Sequence, residues 1–131
     1  MNYLVDTSVI IDFLRGKEEA RLEMKKMVSQ GAIYISVITL GELLYGAYRS
    51  TRFAKAQEQI FVFIADFSVT VLPLTAEIVH EYAKVKYGLE TKGAKLDDLD
   101  LFIGATAVIS ESTLVTDNVR HFRRFPGIVL F

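Results

Sequence analysis

Short apolar runs alternate with longer amphipathic segments along this chain, and the alternation predicts its secondary structure. Five short runs are apolar and lack strict polar alternation, which is typical of strands covered on both faces of a sheet. Because amphipathic stretches separate these runs, we expect parallel strands joined by helical crossovers. The predicted strands are Tyr3–Val5, Ala32–Ile35, Val69–Leu72, Leu114–Thr116 and Ile128–Leu130.

The segments between the strands have the apolar period of helices, with cap residues and glycines near their ends. Together the two patterns predict an α/β fold, a single domain with a small parallel sheet of about five strands flanked by helices. The predicted helices are Ser8–Arg15, Glu18–Gln30, Thr39–Tyr48, Arg52–Phe67, Thr75–Glu90 and Asp97–Ser110.

Composition supports one globular domain and excludes several kinds of site. The chain has 131 residues, 51% of them hydrophobic, so we expect a single domain spanning residues 1–131. A net charge of −1 gives no overall attraction to nucleic acid, so such binding needs a local basic patch or metal ions. The absence of cysteine excludes thiolate catalysis and fits a cytoplasmic protein. No apolar run approaches the roughly 20 residues of a membrane span, so we expect no membrane insertion.

Two acidic residues directly follow predicted strands. Asp6 follows the first strand and Asp117 follows the fourth. Because an open parallel sheet binds ligands at the carboxyl ends of its strands, both are candidate site residues. Asp6 also suits a helix N-cap, a role that stabilises by about 1 kcal/mol. Because Thr7 or Ser8 would cap the helix equally well, capping alone does not require a carboxylate at this position.

Glu42 is a lone acid near the start of a predicted helix whose other early positions are almost wholly apolar. An ordinary role for it is interaction with the helix dipole, worth about 0.3 to 1 kcal/mol. Gly46, one turn later on the same face, leaves space for a partner beside the carboxylate. Glu42 is therefore a second candidate.

Asp97, Asp98 and Asp100 open the last long predicted helix, and all three suit the positive end of its dipole. Asp97 and Asp100 also have the spacing of a cap and a residue that reaches back to it. Asp100 adjoins Leu101 and faces Gly104, so we expect it to emerge from packed surroundings while the other two are solvated. Asp100 is the predicted working acid.

Carboxylates that converge on one pocket repel one another, so they either protonate or hold a cation. At a separation of about 4 Å and an effective dielectric of about 20, each pair costs about 4 kcal/mol. Oxygen ligands without cysteine favour Mg²⁺ or Mn²⁺ over zinc. Such an ion lowers the pKa of its bound water and stabilises charge on a phosphodiester during hydrolysis. His80 and His121 are not needed as general bases.

Four blocks of sequence, in this order, resemble the motifs of PIN-domain nucleases, and VapC-type toxins of toxin–antitoxin pairs in particular. The resemblance covers essentially the whole chain. It implies a Mg²⁺- or Mn²⁺-dependent endoribonuclease that cuts RNA, commonly a homodimer, held inactive by a VapB-type antitoxin whose tail reaches the acidic site. The blocks are 4–8 (LVDTS), 36–46 (SVITLGELLYG), 100–107 (DLFIGATA) and 114–118 (LVTDN), the last followed by Phe122.

By this resemblance, Asp6, Glu42 and Asp100 match the three core acids of the family. Asp6 and Asp100 are then the expected direct metal ligands. Thr7 and Ser8, which follow Asp6 into the first helix, are expected to support the site.

The fourth acid of the family stays open between two neighbouring positions. Many members have it two residues after the position of Thr116, where this chain has Asn118, whereas Asp117 comes one residue early. Either Asp117 serves as a catalytic acid from a shifted turn, or Asn118 holds a water or metal without charge. In both cases we expect Thr116 to orient the acting residue. Whether Asp117 or Asn118 fills the fourth position also decides whether the site binds one metal ion or two.

Four alternatives compete with this interpretation. Two keep the fold: a stand-alone PIN nuclease in RNA processing, and a non-catalytic acid-rich module that binds a partner protein. A phosphatase of the haloacid dehalogenase type also begins with an aspartate at a strand end, but it needs a second aspartate where this chain has Ser8. A response-regulator receiver is disfavoured because the adjacent acidic pair at the first strand end is missing.

Overall fold

The computed structural model describes residues 1–131 and has helices on both faces of a parallel sheet. The predicted α/β class is confirmed, and all six predicted helices are present with ends displaced by at most two residues. No helix is both long enough and apolar enough to cross a membrane. In chain order the elements are β1 (Asn2–Val5), α1 (Thr7–Leu14), α2 (Glu18–Gln30), β2 (Ala32–Ser36), α3 (Val37–Arg49), α4 (Phe53–Asp66), β3 (Thr70–Leu72), α5 (Ala76–Thr91), α6 (Asp98–Ile109), β4 (Thr113–Val115) and α7 (Val119–Phe122).

The order of the strands places a crevice at one end of β1. The sheet runs β3-β2-β1-β4, with every neighbouring pair parallel. From β1 the chain first extends the sheet on one side, through β2 and β3, and then adds β4 on the other side. Strand order therefore reverses between β1 and β4, and sheets of this kind bind ligands beyond the carboxyl ends of the strands at such a point. The N–H of Asp6 donates to the carbonyl of Val115 at 2.8 Å, which ties those two ends together.

Alternate residues of β1 pack against opposite layers, as expected for a strand covered on both faces. Tyr3 and Val5 belong to a buried cluster that includes residues of α1, α2, α3 and α4. Leu4 instead packs with residues of α6 and with Phe122 of α7. The end of β1 is thus held from both sides, which fixes the position of the residue that follows it. Helix α7 was not predicted, because four residues are too few to show a helical period.

The fifth predicted strand, Ile128–Leu130, is wrong as an element, since the sheet has four strands. Only Leu130 pairs with the sheet, through a parallel bridge to Leu114. The N–H of Ile128 donates to the carbonyl of Phe125 at 3.3 Å, across a turn in which Gly127 has a φ of 79°. The turn reaches into the start of the predicted strand, and the segment makes one bridge instead of a ladder.

Gly104 of α6 allows close packing of Phe125, in agreement with the packed surroundings predicted near Asp100. A Cβ on Gly104 would lie 2.6 Å from Phe125 Cδ2. Gly104→Ala is therefore expected to destabilise the protein by about 1 to 3 kcal/mol, measured by urea unfolding. Gly88→Ala in α5 is the matched control: its Cβ meets nothing within 4 Å, so we expect no loss of stability. Equal losses in the two variants would contradict this packing.

Candidate active site

Asp6 is a buried carboxylate at the point where strand order reverses. Its Oδ1 accepts a hydrogen bond from the N–H of Thr7 at 2.8 Å, and its Oδ2 accepts one from the hydroxyl of Thr116 at 2.7 Å. The residue is 4% exposed. Burial raises its pKa, and the bonds from Thr116 and Thr7 oppose that shift. Asp6 thus caps α1, as the simpler interpretation predicts, while its second oxygen is held by Thr116, the residue that follows β4.

Thr7, the residue after Asp6, connects Glu42 to the start of α1. It lies in the second turn of α3 and is half-buried. The Thr7 hydroxyl donates to Glu42 Oε1 at 2.6 Å, which joins the start of α1 to α3. Helix α3 begins beside the sheet because Ser36, the last residue of β2, caps it by accepting from the N–H of Ile38 at 3.0 Å. A Cβ on Gly46 would meet nothing within 4 Å, so the space predicted at Gly46 is open.

Asp100 lies in the first turn of α6 and is half-buried, whereas Asp97 and Asp98 are exposed. Its pKa is raised to about 6, first by burial and then by the negative charges of Asp6, Asp97 and Glu42. Asp100 therefore lies within electrostatic reach of Asp6 and of Glu42, the other two acids predicted as a group. Repulsion of this kind is what a bound cation relieves.

The fourth position is less tightly linked to this group. Asp117 is largely exposed, and partial desolvation of its carboxyl raises its pKa first, followed by the neighbouring Asp12 carboxyl and only after that by Asp6. The side chain of Asn118 makes no hydrogen bond, although the backbone N–H of the same residue donates to the Thr116 hydroxyl at 2.9 Å. Thr116 therefore holds both Asp6 and the backbone of the turn. The choice between Asp117 and Asn118 stays open.

The structure adds side chains that sequence reasoning did not select. Asp12 lies beside Asp117 and pairs with Lys17 at 3.2 Å. It is the lone charged residue of α1, a signal that was available in the sequence. Thr39 contacts Thr7, and no sequence signal marks it. Ser8, predicted to support the site, has a buried hydroxyl without a hydrogen-bond partner.

The acids of the crevice fit a divalent cation by their chemistry. As they stand, no three acidic or histidine side chains are positioned to hold an ion together. Mg²⁺, however, keeps several waters and commonly binds through one or two carboxylates together with substrate phosphates. Asp6 and Asp100 supply that number of hard oxygen ligands, and the raised pKa of Asp100 reflects negative charge that a cation would offset. The donor set therefore fits Mg²⁺ or Mn²⁺ that retains most of its water.

A cavity of about 580 Å³ opens beside Glu42 and separates α3 from the start of α6. Its wall is partly apolar and exposed: Tyr45 is 65% exposed, and Val37 and Leu99 are each about 40% exposed. Arg49 lies over the ring of Tyr45 at 5.7 Å. An acid of the site, an aromatic ring and the positively charged side chain of Arg49 thus line the same cavity.

The chain matches the model of the PIN domain over residues 3–128, which is almost its whole length. It belongs to the PIN-domain family. Ribonuclease VapC1 of Rickettsia felis is 33% identical over 98% of this chain and 93% of its own length. Ribonuclease VapC2 of the same organism is 27% identical over 99% of this chain and 96% of its own length. This membership decides against the phosphatase and receiver alternatives.

This PIN domain is also similar in fold to chains of solved structures. The crystal structure of VapBC2 from Rickettsia felis bound to a DNA fragment from their promoter contains a chain with a TM-score of 0.92 and 26% identity. The match covers 100% of this chain and 98% of that one. The four-stranded sheet and its helices thus have the fold of the matched chain in that structure.

Asp100→Asn is expected to make this PIN domain more stable in EDTA at neutral pH. The pKa of Asp100 is about 6 in the folded state and 3.8 in the unfolded state, so between these pH values the folded state binds more protons. The folded state therefore loses stability as the pH rises from 3.8 to about 6. Discounted for solvent screening, the gain at pH 7.5 is about 1 kcal/mol. Thermal unfolding at pH 4 and pH 7.5 measures it. A gain that is no larger at pH 7.5 than at pH 4 would contradict the charge repulsion.

Proposed function

We propose that this PIN domain is a metal-dependent endoribonuclease that hydrolyses RNA phosphodiester bonds, and that it is the VapC-type toxin of a toxin–antitoxin pair. One observation carries the proposal: Asp6, Glu42 and Asp100 come from three separate elements and lie within electrostatic reach at the point where strand order reverses. The chain that holds them is similar over nearly its full length to proteins named Ribonuclease VapC. The proposal places catalysis at this crevice.

Each acid has a distinct part in the proposed reaction. Asp6 and Asp100 would hold Mg²⁺ or Mn²⁺, which would supply a water of lowered pKa and positive charge to offset charge on the phosphate. Glu42, whose Oε1 accepts from Thr7, adds a third carboxyl group near Asp100. Thr116 fixes the second oxygen of Asp6, so this carboxylate needs little rearrangement to bind a cation. Asp117 or Asn118 completes the site from the turn after β4.

RNA binding is proposed to use local positive charge, because the chain as a whole has a net charge of −1. Arg120, Arg123 and Arg124 are exposed on and just after α7, which follows the turn beyond β4. This position suits contacts with the phosphate backbone on either side of the cut. Arg49 lies on the opposite flank, in the cavity beside Glu42.

A protein partner is part of the proposal. Related chains have been solved as VapBC complexes bound to DNA, from Rickettsia felis and Salmonella typhimurium. We propose that this chain pairs in the cytoplasm with an antitoxin of the VapB type and forms a homodimer. Exposed apolar side chains next to the acids, Val37, Tyr45 and Leu99, supply a surface that a protein partner would bury.

The proposal is tested with purified protein and one structured RNA labelled at both ends. We expect internal cuts that yield two labelled fragments, which separates an endonuclease from an enzyme that removes nucleotides from an end. Addition of the protein encoded by a small neighbouring gene should suppress the cuts. Cleavage that no such protein suppresses would favour the stand-alone nuclease, and absence of cleavage with every divalent ion would favour the non-catalytic module.

A further inference from the structure

Thr39 is a fully buried residue in the first turn of α3, and its hydroxyl points toward the candidate site. It is 0% exposed. Its Oγ1 lies 3.1 Å from Thr7 Oγ1, and this is the only hydrogen bond that the hydroxyl makes. Thr7 Oγ1 in turn lies 2.6 Å from Glu42 Oε1. The three oxygens form a chain that ends on an acid of the site.

The number of protons gives this chain a direction. A threonine hydroxyl has one proton to donate and two lone pairs to accept with. The Glu42 carboxylate can only accept, and at 2.6 Å it takes the proton of Thr7. The positions of the oxygens would also suit Thr7 as a donor to Thr39 at 3.1 Å. Because the single proton of Thr7 is used in the shorter bond to Glu42, we infer that Thr39 is the donor in the bond that the two threonines share. Each donor is thereby used once, and the direction runs from Thr39 through Thr7 to Glu42.

A second buried threonine, Thr106, provides a comparison for the hydrogen bonding of the Thr39 hydroxyl. Thr106 of α6 is also 0% exposed, and its hydroxyl donates to the carbonyl of Phe102, four residues earlier, at 2.7 Å. This bond to the helix backbone is the common arrangement of threonine within a helix. Thr39 makes no bond of this kind and uses its hydroxyl between two helices.

We propose that Thr39 is a positioning residue for Glu42, which it holds through Thr7. Because the Thr39 hydroxyl occupies one of the acceptor positions of Thr7, the Thr7 proton is turned away from Thr39, and Glu42 Oε1 at 2.6 Å is the acceptor that it meets. A half-buried glutamate has several rotatable bonds, and an oriented donor removes much of that freedom. The inference rests on the proposed ribonuclease function and deepens it, since it names a residue that sets the geometry of the same site.

The first test compares RNA turnover in Thr39→Val, Thr39→Ser and Thr106→Val with the parent. Thr39→Val keeps the shape and removes the hydroxyl, and we expect about a tenfold loss of turnover with KM for RNA unchanged. Thr39→Ser restores the hydroxyl and should return turnover to within about twofold of the parent. Thr106→Val also removes a buried hydroxyl, but it should turn over RNA as the parent does. Equal losses in Thr39→Val and Thr106→Val would overturn the proposal.

A double-mutant cycle identifies the group through which Thr39 acts. In a Glu42→Gln background, Thr39→Val should cause no further loss of turnover, because the carboxylate that it orients is gone. If the loss stays about tenfold in that background, Thr39 acts on something other than Glu42 and the proposal fails.

A crystal structure of Thr39→Val beside one of the parent separates this inference from the proposed function. The parent should show Glu42 ordered on Thr7, whereas in Thr39→Val we expect Glu42 to leave hydrogen-bond distance of Thr7 or to occupy several positions. This comparison holds even if the parent cuts no RNA, in which case only the ribonuclease function fails. An unchanged, ordered Glu42 in Thr39→Val would overturn the positioning role.

Discussion

Asp6→Asn and Asp100→Asn are each expected to lower the rate of RNA cleavage by at least about 1000-fold, equivalent to about 4 kcal/mol of lost transition-state stabilisation. Each change removes one of the two carboxylates proposed to bind the metal and keeps the size of the side chain. Neither should unfold the protein, because the pKa of both carboxyls is raised by burial and a neutral amide avoids that cost. Single-turnover cleavage of one labelled RNA measures the loss, and circular dichroism measures folding.

Asp98→Asn is the matched control for this comparison. Asp98 lies two residues before Asp100 on the same helix, but it is exposed and pairs with Lys86 at 2.8 Å. We expect this variant to cut RNA at the rate of the parent, since its charge is already paired with a lysine away from the crevice. If Asp98→Asn were as inactive as Asp100→Asn, the loss would reflect the start of α6 in general and not a metal ligand.

Removal of divalent cations with EDTA is expected to abolish cleavage in the parent, again by at least about 1000-fold. Mg²⁺ or Mn²⁺ in excess should restore the rate, because the site offers only oxygen ligands of the kind these ions prefer. The measurement is the cleavage rate as a function of free metal concentration. Rates that remain unchanged after EDTA treatment would show that the carboxylates act without a cation.

Thermal unfolding in the same metal titration is the control for indirect effects. A cation that binds only the folded state raises the unfolding temperature of the parent. The increase should be much smaller in Asp100→Asn, which lacks one ligand, and unchanged in Asp98→Asn. An equal increase in all three proteins would place the bound ion outside the crevice.

Much of the site was predictable because it depends on strand ends. The order of short apolar runs places Asp6 and Asp117 after strands, and parallel strands bring their carboxyl ends to one edge. Asp100 was separable from Asp97 and Asp98 because apolar neighbours indicated packed surroundings, and the structure has it half-buried with the other two exposed. Glu42 depended mainly on resemblance, since one acid on an apolar helix has no partner visible in the sequence.

Other features depend on contacts between residues far apart in the chain. Thr39 looks like any helical threonine until α1 and α3 are packed together and Thr7 lies 3.1 Å away. Packed surroundings are predictable from the residues around Gly104, but only the tertiary structure shows that the packing residue is Phe125. The segment 128–130 has the residues of a strand, yet the turn at Gly127 prevents a regular ladder. Local pattern predicts elements, and packing decides which side chains meet.

Anomalous scattering from a crystal of the protein grown with Mn²⁺ locates the bound ion. We expect an anomalous peak within about 2.5 Å of carboxylate oxygens of both Asp6 and Asp100, beyond the ends of β1 and β4. The same crystal form of Asp100→Asn should show the peak much weakened. A strong peak elsewhere, such as between Asp12 and Asp117, or a peak of full strength in Asp100→Asn, would show that Asp6 and Asp100 do not form the metal site.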